Sequence, residues 1–156
     1  RVDAMLQRLD TLRALYPDDR EIGLREAKAA VNLTIDAGAA GQWDRVEAML
    51  QRLDALRALY PEDREIAAQV GLATAAAYAS RRHTGQAPDV DDTRGAAAGA
   101  GVAAAYYAGE PRQLAALVVI KDAFARFPDD VQIAGVFKQW ADAGAPWDEI
   151  PTIVPD

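Results

Sequence analysis

Between residues 45 and 60 the apolar side chains fall at Val46, Met49, Leu50, Leu53, Leu56, Leu59 and Tyr60. These steps trace one stripe on a 3.6-residue period, which predicts an amphipathic helix. Glu47, Gln51, Arg52 and Asp54 take the wetter side. Asp44 is placed to cap this helix, and Glu47, three residues on, completes a capping box. Pro61 ends it, because the residue before a proline is driven out of the α region. Applied along the chain, the same pattern predicts seven helices, at about 2–16, 19–38, 44–60, 63–82, 92–108, 111–127 and 130–143. Asp18 with Glu21, and Asp129 with Gln132, repeat the arrangement of a cap and a third helical residue. Gly38-Ala39-Ala40-Gly41 supplies a small-residue turn between the second and third helices.

The pattern recurs almost letter for letter. Residues 1–22 return as residues 45–66, 44 positions later, with only Asp3/Glu47, Thr11/Ala55 and Asp18/Glu62 differing. A repeat at such a period predicts stacked units, none of which buries its apolar face alone. The copies span 1–44 and 45–88, and a degraded third lies at 112–143. There, aligning Pro128 on Pro61 puts Leu117 on Leu50, Ile120 on Leu53, Phe127 on Tyr60 and Ile133 on Ile66. Pro61 and Pro128 are 67 residues apart, 23 more than one period, so 83–108 reads as an inserted loop and helix. An inserted helix reverses the direction of everything after it, unless the loop at 83–91 crosses the stack.

Composition narrows the functional classes. The 156 residues predict one all-α domain, with 35 alanines favouring helix. The net charge of −7 and the scatter of 14 arginines and three lysines argue against nucleic acid, which needs a positive field. No cysteine is present, so disulfides and thiolate metal sites are excluded. No stretch reaches the roughly 20 apolar residues of a membrane span. The chain begins at Arg1, part-way through the repeat and without a signal-peptide layout, so a trimmed N-terminus and a cytoplasmic location are the expectations.

Helix pairs joined by a glycine turn, with small residues in the first helix and Pro-acidic-Asp closing the second, resemble the tetratricopeptide (TPR-like) superfamily. Ala30 and Gly38/Gly41, Ala48 and Leu56, and Pro61-Glu62-Asp63 carry the resemblance. It covers nearly the whole chain, with 83–108 fitting worst. The period of 44 exceeds the family's 34, and the family's Trp and Leu-Gly positions are missing. The resemblance implies an α-solenoid, a right-handed superhelix whose first helices line a concave groove for peptides or partner proteins. It implies no chemistry and no cofactor.

On the helix at 19–38, Glu21, Arg25, Lys28, Asn32 and Asp36 form a polar stripe opposite Ile22, Ala29, Ala30 and Leu33. Under the resemblance this stripe faces the groove. Arg25, Lys28, Asn32 and Asp36, with Gln69 one period on from Arg25, are therefore the candidate partner contacts. The plainer reading is a solvated helix face. Lys28 and Asn32 also resemble part of a carboxylate clamp, yet Leu72 and Ala76 hold the matching positions of the next unit. The first helix has no preceding partner, so Val2, Met5, Leu6 and Leu9 are candidates for a homodimer contact. So is Trp147, in a tail (145–156) whose three prolines bar an α-helix while Ile150, Ile153 and Val154 need an apolar cover.

Other candidates have bland readings beside them. His83 follows Arg81-Arg82 at a helix end, where cations suit the dipole, and no orienting partner for a general base is nearby. Asp89, Asp91 and Asp92 lack the calcium-loop pattern and read as helix caps. Gly95, Gly99 and Gly101 give one helix a bare face, for close packing or for a ligand or second subunit to lie on. The leading expectation is a non-catalytic protein- or peptide-binding scaffold. The alternative is a small-molecule binder or enzyme with a pocket near Tyr78, His83, Tyr106 and Tyr107, around the inserted helix.

Overall fold

The computed structural model describes residues 2–153, with side chains from residue 3 onward. It contains α1 (Val2–Leu15), α2 (Arg20–Ala39), α3 (Trp43–Leu59), α4 (Arg64–His83), α5 (Val90–Tyr106), α6 (Pro111–Arg126) and α7 (Val131–Asp142), then a 3-10 turn at Trp147–Glu149. The protein is all-α, with no strand among the described residues. None of these helices is long and apolar enough to cross a membrane.

Proline and aspartate together set where helices stop and start. In each Pro-acidic-Asp junction the residue before proline accepts from the aspartate N–H: Asp19 to Tyr16 at 3.1 Å, Asp63 to Tyr60 at 3.1 Å, Asp130 to Phe127 at 3.2 Å. Proline takes the first corner of that turn, as its fixed φ favours. The fourth turn residue is therefore the one free to cap. Asp19 accepts from the Glu21 N–H at 3.0 Å, and Asp130 from Gln132 and Ile133 at 3.0 and 3.1 Å. The caps are thus Asp19 and Asp130, one residue past the expected Asp18 and Asp129. Asp44 is not a cap either. Trp43 already belongs to α3, packed on the cluster of Ala37, Val46 and Ala77, and Glu47 turns away to pair with Arg81 at 2.6 Å.

Polar contacts fix the helix directions. Arg45 meets Asp3 at 2.8 Å and Arg52 meets Asp10 at 2.7 Å, so α3 runs parallel beside α1. Arg20 bonds Glu65 at 2.8 Å and Gly38 abuts Ser80, so α4 runs parallel beside α2. Against α4, α5 runs antiparallel: Gln69 bonds Tyr107, Gly71 abuts Gly99, and Arg81 lies 3.9 Å from Asp92. Arg94 reaches Asp130 at 2.6 Å and Gly101 approaches Val136, which sets α7 parallel to α5. Direction therefore alternates at every step, and α6, a copy of α3 by sequence, runs with α2 and α4 instead.

Two apolar clusters dominate the core. One joins Leu24, Ala27 and Val31 of α2 to Leu53 and Leu56 of α3 and Ile66 and Val70 of α4. The other joins alanines of α4 and α5 to Leu117, Val119 and Ile120 of α6 and to Ile150 and Ile153 of the tail. Small residues let α4 and α5 approach closely. A Cβ at Gly71 would lie 2.2 Å from the Gly99 carbonyl oxygen, whereas one at Gly95 would meet nothing within 4 Å.

Two expected oligomer contacts face this chain's own core. Leu6 is buried with Leu9, Ala29 and Leu33, because the α1 stripe is covered by α2. Trp147 stacks on Phe137, which stacks on Phe124, at centroid distances of 4.5 and 4.2 Å. Lys121 Nζ anchors the tail, donating to the carbonyls of Trp147 at 2.8 Å and Ile150 at 2.7 Å. The side chain of Val2 and all of Val154 lie outside the described residues. Met5 is the member of that candidate set left exposed, at 43%.

Candidate functional site

The exposed side of α2 carries Arg25, Lys28, Asn32 and Asp36, as its period requires. Lys28 and Asn32 form a ridge between two clefts. One cleft, of ≈ 440 Å³, lies between α2, α4 and the α5–α6 turn. Its α2 wall is Lys28, Val31, Asn32 and Ile35, its floor Glu65, Gln69 and Leu72, and its far wall Tyr106, Tyr107, Glu110 and Arg112. The other, of ≈ 520 Å³, lies between α1 and α2 and is lined by Met5, Arg8, Leu9, Leu12, Arg25 and the same ridge. Arg25 and Gln69, one period apart, thus fall in different clefts, and Asp36 lines neither.

The tight α5–α6 turn makes the far wall. Gly109 takes φ +81°, a conformation L side chains rarely adopt, and its N–H is held by the Gln113 side chain at 3.0 Å. Pro111 at the first turn of α6 then restarts the helix. Tyr106 stands 37% exposed at the rim. Tyr107 is buried below it, T-shaped against Tyr106 at 5.0 Å, with the Arg112 guanidinium 5.0 Å from its ring centroid.

Cleft electrostatics are mixed. Lys28 Nζ lies 3.6 Å from Glu65, which also takes Arg20, and Arg112 pairs with Glu110 at 3.1 Å. An anion already stands beside Lys28, opposite in sign to what a carboxylate clamp needs. Gln69 is buried, and its Nε2 donates to the Tyr107 hydroxyl. Burial, more than its polar neighbours, raises the Tyr107 pKa. Gln69 therefore sets the position of Tyr107 rather than presenting itself to a partner.

Tyr78 and His83 sit toward the end of α4 remote from Tyr106 and Tyr107, so the four residues grouped for a pocket around α5 do not meet. Tyr78 is buried and donates to Asp122, which also receives Arg82 at 2.9 and 3.1 Å. Arg126 donates to the Tyr78 hydroxyl at 3.1 Å and to the Pro88 carbonyl at 2.8 Å. Burial, then the Asp122 carboxylate, push the Tyr78 pKa up to about 12. This network clasps the 84–89 loop to α4 and α6. Asp89 caps α5, accepting from the Asp92 N–H at 2.8 Å, and Asp91 pairs with Arg94 at 3.0 Å. Among the described residues no group of three or more His, Cys, Asp or Glu could hold a metal.

Two further features escape the sequence pattern. Glu26 is fully buried on α2, 3.3 Å from Arg13 and 3.2 Å from Arg52, which also binds Asp10. Its place on the apolar side of α2, where the second copy carries Val70, is the one signal of this. A third cleft, of ≈ 420 Å³, opens between α3, α4 and α5. Glu47, Leu50 and Asp54 wall it on one side and Gly95, Ala98, Gly99 and Val102 on the other. No family model, curated protein or solved structure matches the chain.

Proposed function

We propose that this chain is a non-catalytic scaffold of TPR-like helix pairs that holds a protein or peptide segment in the cleft between α2, α4 and the α5–α6 turn. The observation that carries this reading is the makeup of that cleft. Its ≈ 440 Å³ suits one or two anchoring side chains. Apolar Val31, Ile35 and Leu72 lie beside the exposed Tyr106 ring, with charges of both signs at the edge. Exposed aromatics bordered by paired charges are the usual makeup of a surface that recognises protein. The parallel seating of α2 beside α4 supports the repeat reading, since it sets matching faces of the two copies side by side.

The test is a displayed random-peptide library panned on the immobilised protein, with calorimetry on the recovered peptides. Tyr106→Ala and Lys28→Glu are expected to weaken binding about tenfold or more, near 1.4 kcal/mol, with circular dichroism unchanged. Peptides that bind both variants as well as the parent remove the cleft from consideration.

A further inference from the structure

Helices α1 and α3 are nearly the same sequence in two settings, and one setting shows what the other lacks. Met5 matches Met49 and Arg8 matches Arg52. On α3, Met49 packs against the apolar clusters of α1 and α2, and Arg52 binds Asp10 of α1 at 2.7 Å. On α1 the same edge faces solvent. Met5 and Arg8 are exposed and line the cleft against α2, and among the described residues Arg8 has no ion-pair partner. The structure therefore specifies the cover this edge accepts: a helix with carboxylates seven residues apart and a leucine between, as Asp3, Leu6 and Asp10 supply to α3.

A second edge of that kind is on display. Glu47, Leu50 and Asp54 of α3 repeat the spacing, and both carboxylates are exposed along the ≈ 420 Å³ cleft. Between α1 and α3, Arg52 reaches across to Asp10. Between α3 and α5 the facing side chains are only Gly95, Ala98, Gly99 and Val102, which leaves Asp54 without a partner from α5. Arg81 already holds Glu47 at 2.6 Å, so Asp54 is the carboxylate the groove offers, with Arg57 three residues on as Arg13 follows Asp10. The α1 edge, with Arg8 and Arg25, is basic and apolar.

We propose that copies of this chain associate head to tail, the Met5–Arg8 edge of one seating in the α3–α5 groove of the next, with Arg8 on Asp54 as Arg52 sits on Asp10. Such a contact joins unlike surfaces, so each added copy leaves one edge and one groove free, and the assembly is open-ended. The tail plays no part in it, because Trp147 covers its own chain.

Light scattering and sedimentation on the full chain test this. The parent protein is expected to pass beyond dimer mass as concentration rises toward ~1 mM. Arg8→Glu alone and Asp54→Lys alone are expected to stay monomeric. Their equimolar mixture should associate again, since an intact Arg8 meets an intact Asp54 and the two reversed charges also complement each other. A parent that stays monomeric at ~1 mM, an Asp54→Lys variant that associates like the parent, or a mixture that does not pair would each overturn the proposal. Circular dichroism checks the fold of both variants, and if either loses helicity, Arg8→Ala and Asp54→Asn take their places with the same outcomes expected. Neither residue lines the α2–α4 cleft, so failure here is distinct from failure of the scaffold reading.

Discussion

Gly71 and Gly95 are both helical glycines, yet the same added methyl group should move stability in opposite directions. At Gly71 it would strike the backbone of Gly99, which cannot yield as a flexible side chain does. Gly71→Ala is expected to cost about 1–3 kcal/mol in urea unfolding, as overpacking does. Gly95→Ala meets open space and is expected to gain about 0.5–1 kcal/mol from helix propensity. Equal effects at the two sites would contradict the close α4–α5 approach. The sequence marks the bare face of α5 but not which glycine is pressed, because Gly71 lies 28 residues before Gly99. Glu26 and Gln69 are hidden for the same reason. Their partners come from other helices, and a period shows only which side of its own helix a residue takes.

Each helix lies within two residues of where the apolar stripe and the Pro-acidic-Asp junctions place it. That accuracy has a physical source, since proline stops a helix sharply and the 3.6-residue stripe is strong in α6 and α7. The caps were less legible because Asp18 and Asp19 look alike as letters, and only the turn closed by Tyr16 separates them. Asp19→Ala should lower stability by about 1 kcal/mol. Asp18→Ala should stay within about 0.5 kcal/mol of the parent. Chemical denaturation of the pair decides it, and an equal loss from both would remove the turn argument. The candidate cleft was half legible at this scale. Lys28 and Asn32 follow from the α2 period, but Tyr106 and Arg112 reach the site through a turn whose position beside α4 no local pattern encodes.

At the scale of the molecule, arginine–aspartate contacts tie alternate helices together, among them Arg52–Asp10 across α1 and α3, Arg20–Asp63 across α2 and α4, and Arg94–Asp130 across α5 and α7. Hydrogen bonds from Arg52, Arg20 and Arg94 hold Asp10, Asp63 and Asp130 below the usual carboxylate range. The unfolded chain, with carboxylates near 3.9, then binds more protons in acid, so stability rises with pH there. This stabilisation is complete above about pH 5 and fades as pH falls through about 4 and below. At the alkaline end the sign reverses for Tyr78, whose contribution is whole below its unfolded value near 10 and is lost as pH climbs toward about 12. Urea midpoints measured across pH should trace both shoulders, and an acid limb unchanged by Arg52→Gln would sink the first. The direction of α6 could not be read beforehand, since one apolar spacing serves a helix threaded either way. The likeness of α1 and α3 has a consequence for how the chain finds this arrangement. Segments 2–15 and 46–59 are near twins, and either could be mistaken for the other during collapse, a slip of 44 residues into a decoy minimum. Glu26 does not arbitrate between them, since Arg8 and Arg13 in one twin match Arg52 and Arg57 in the other, and an exchanged pair would still satisfy the buried carboxylate.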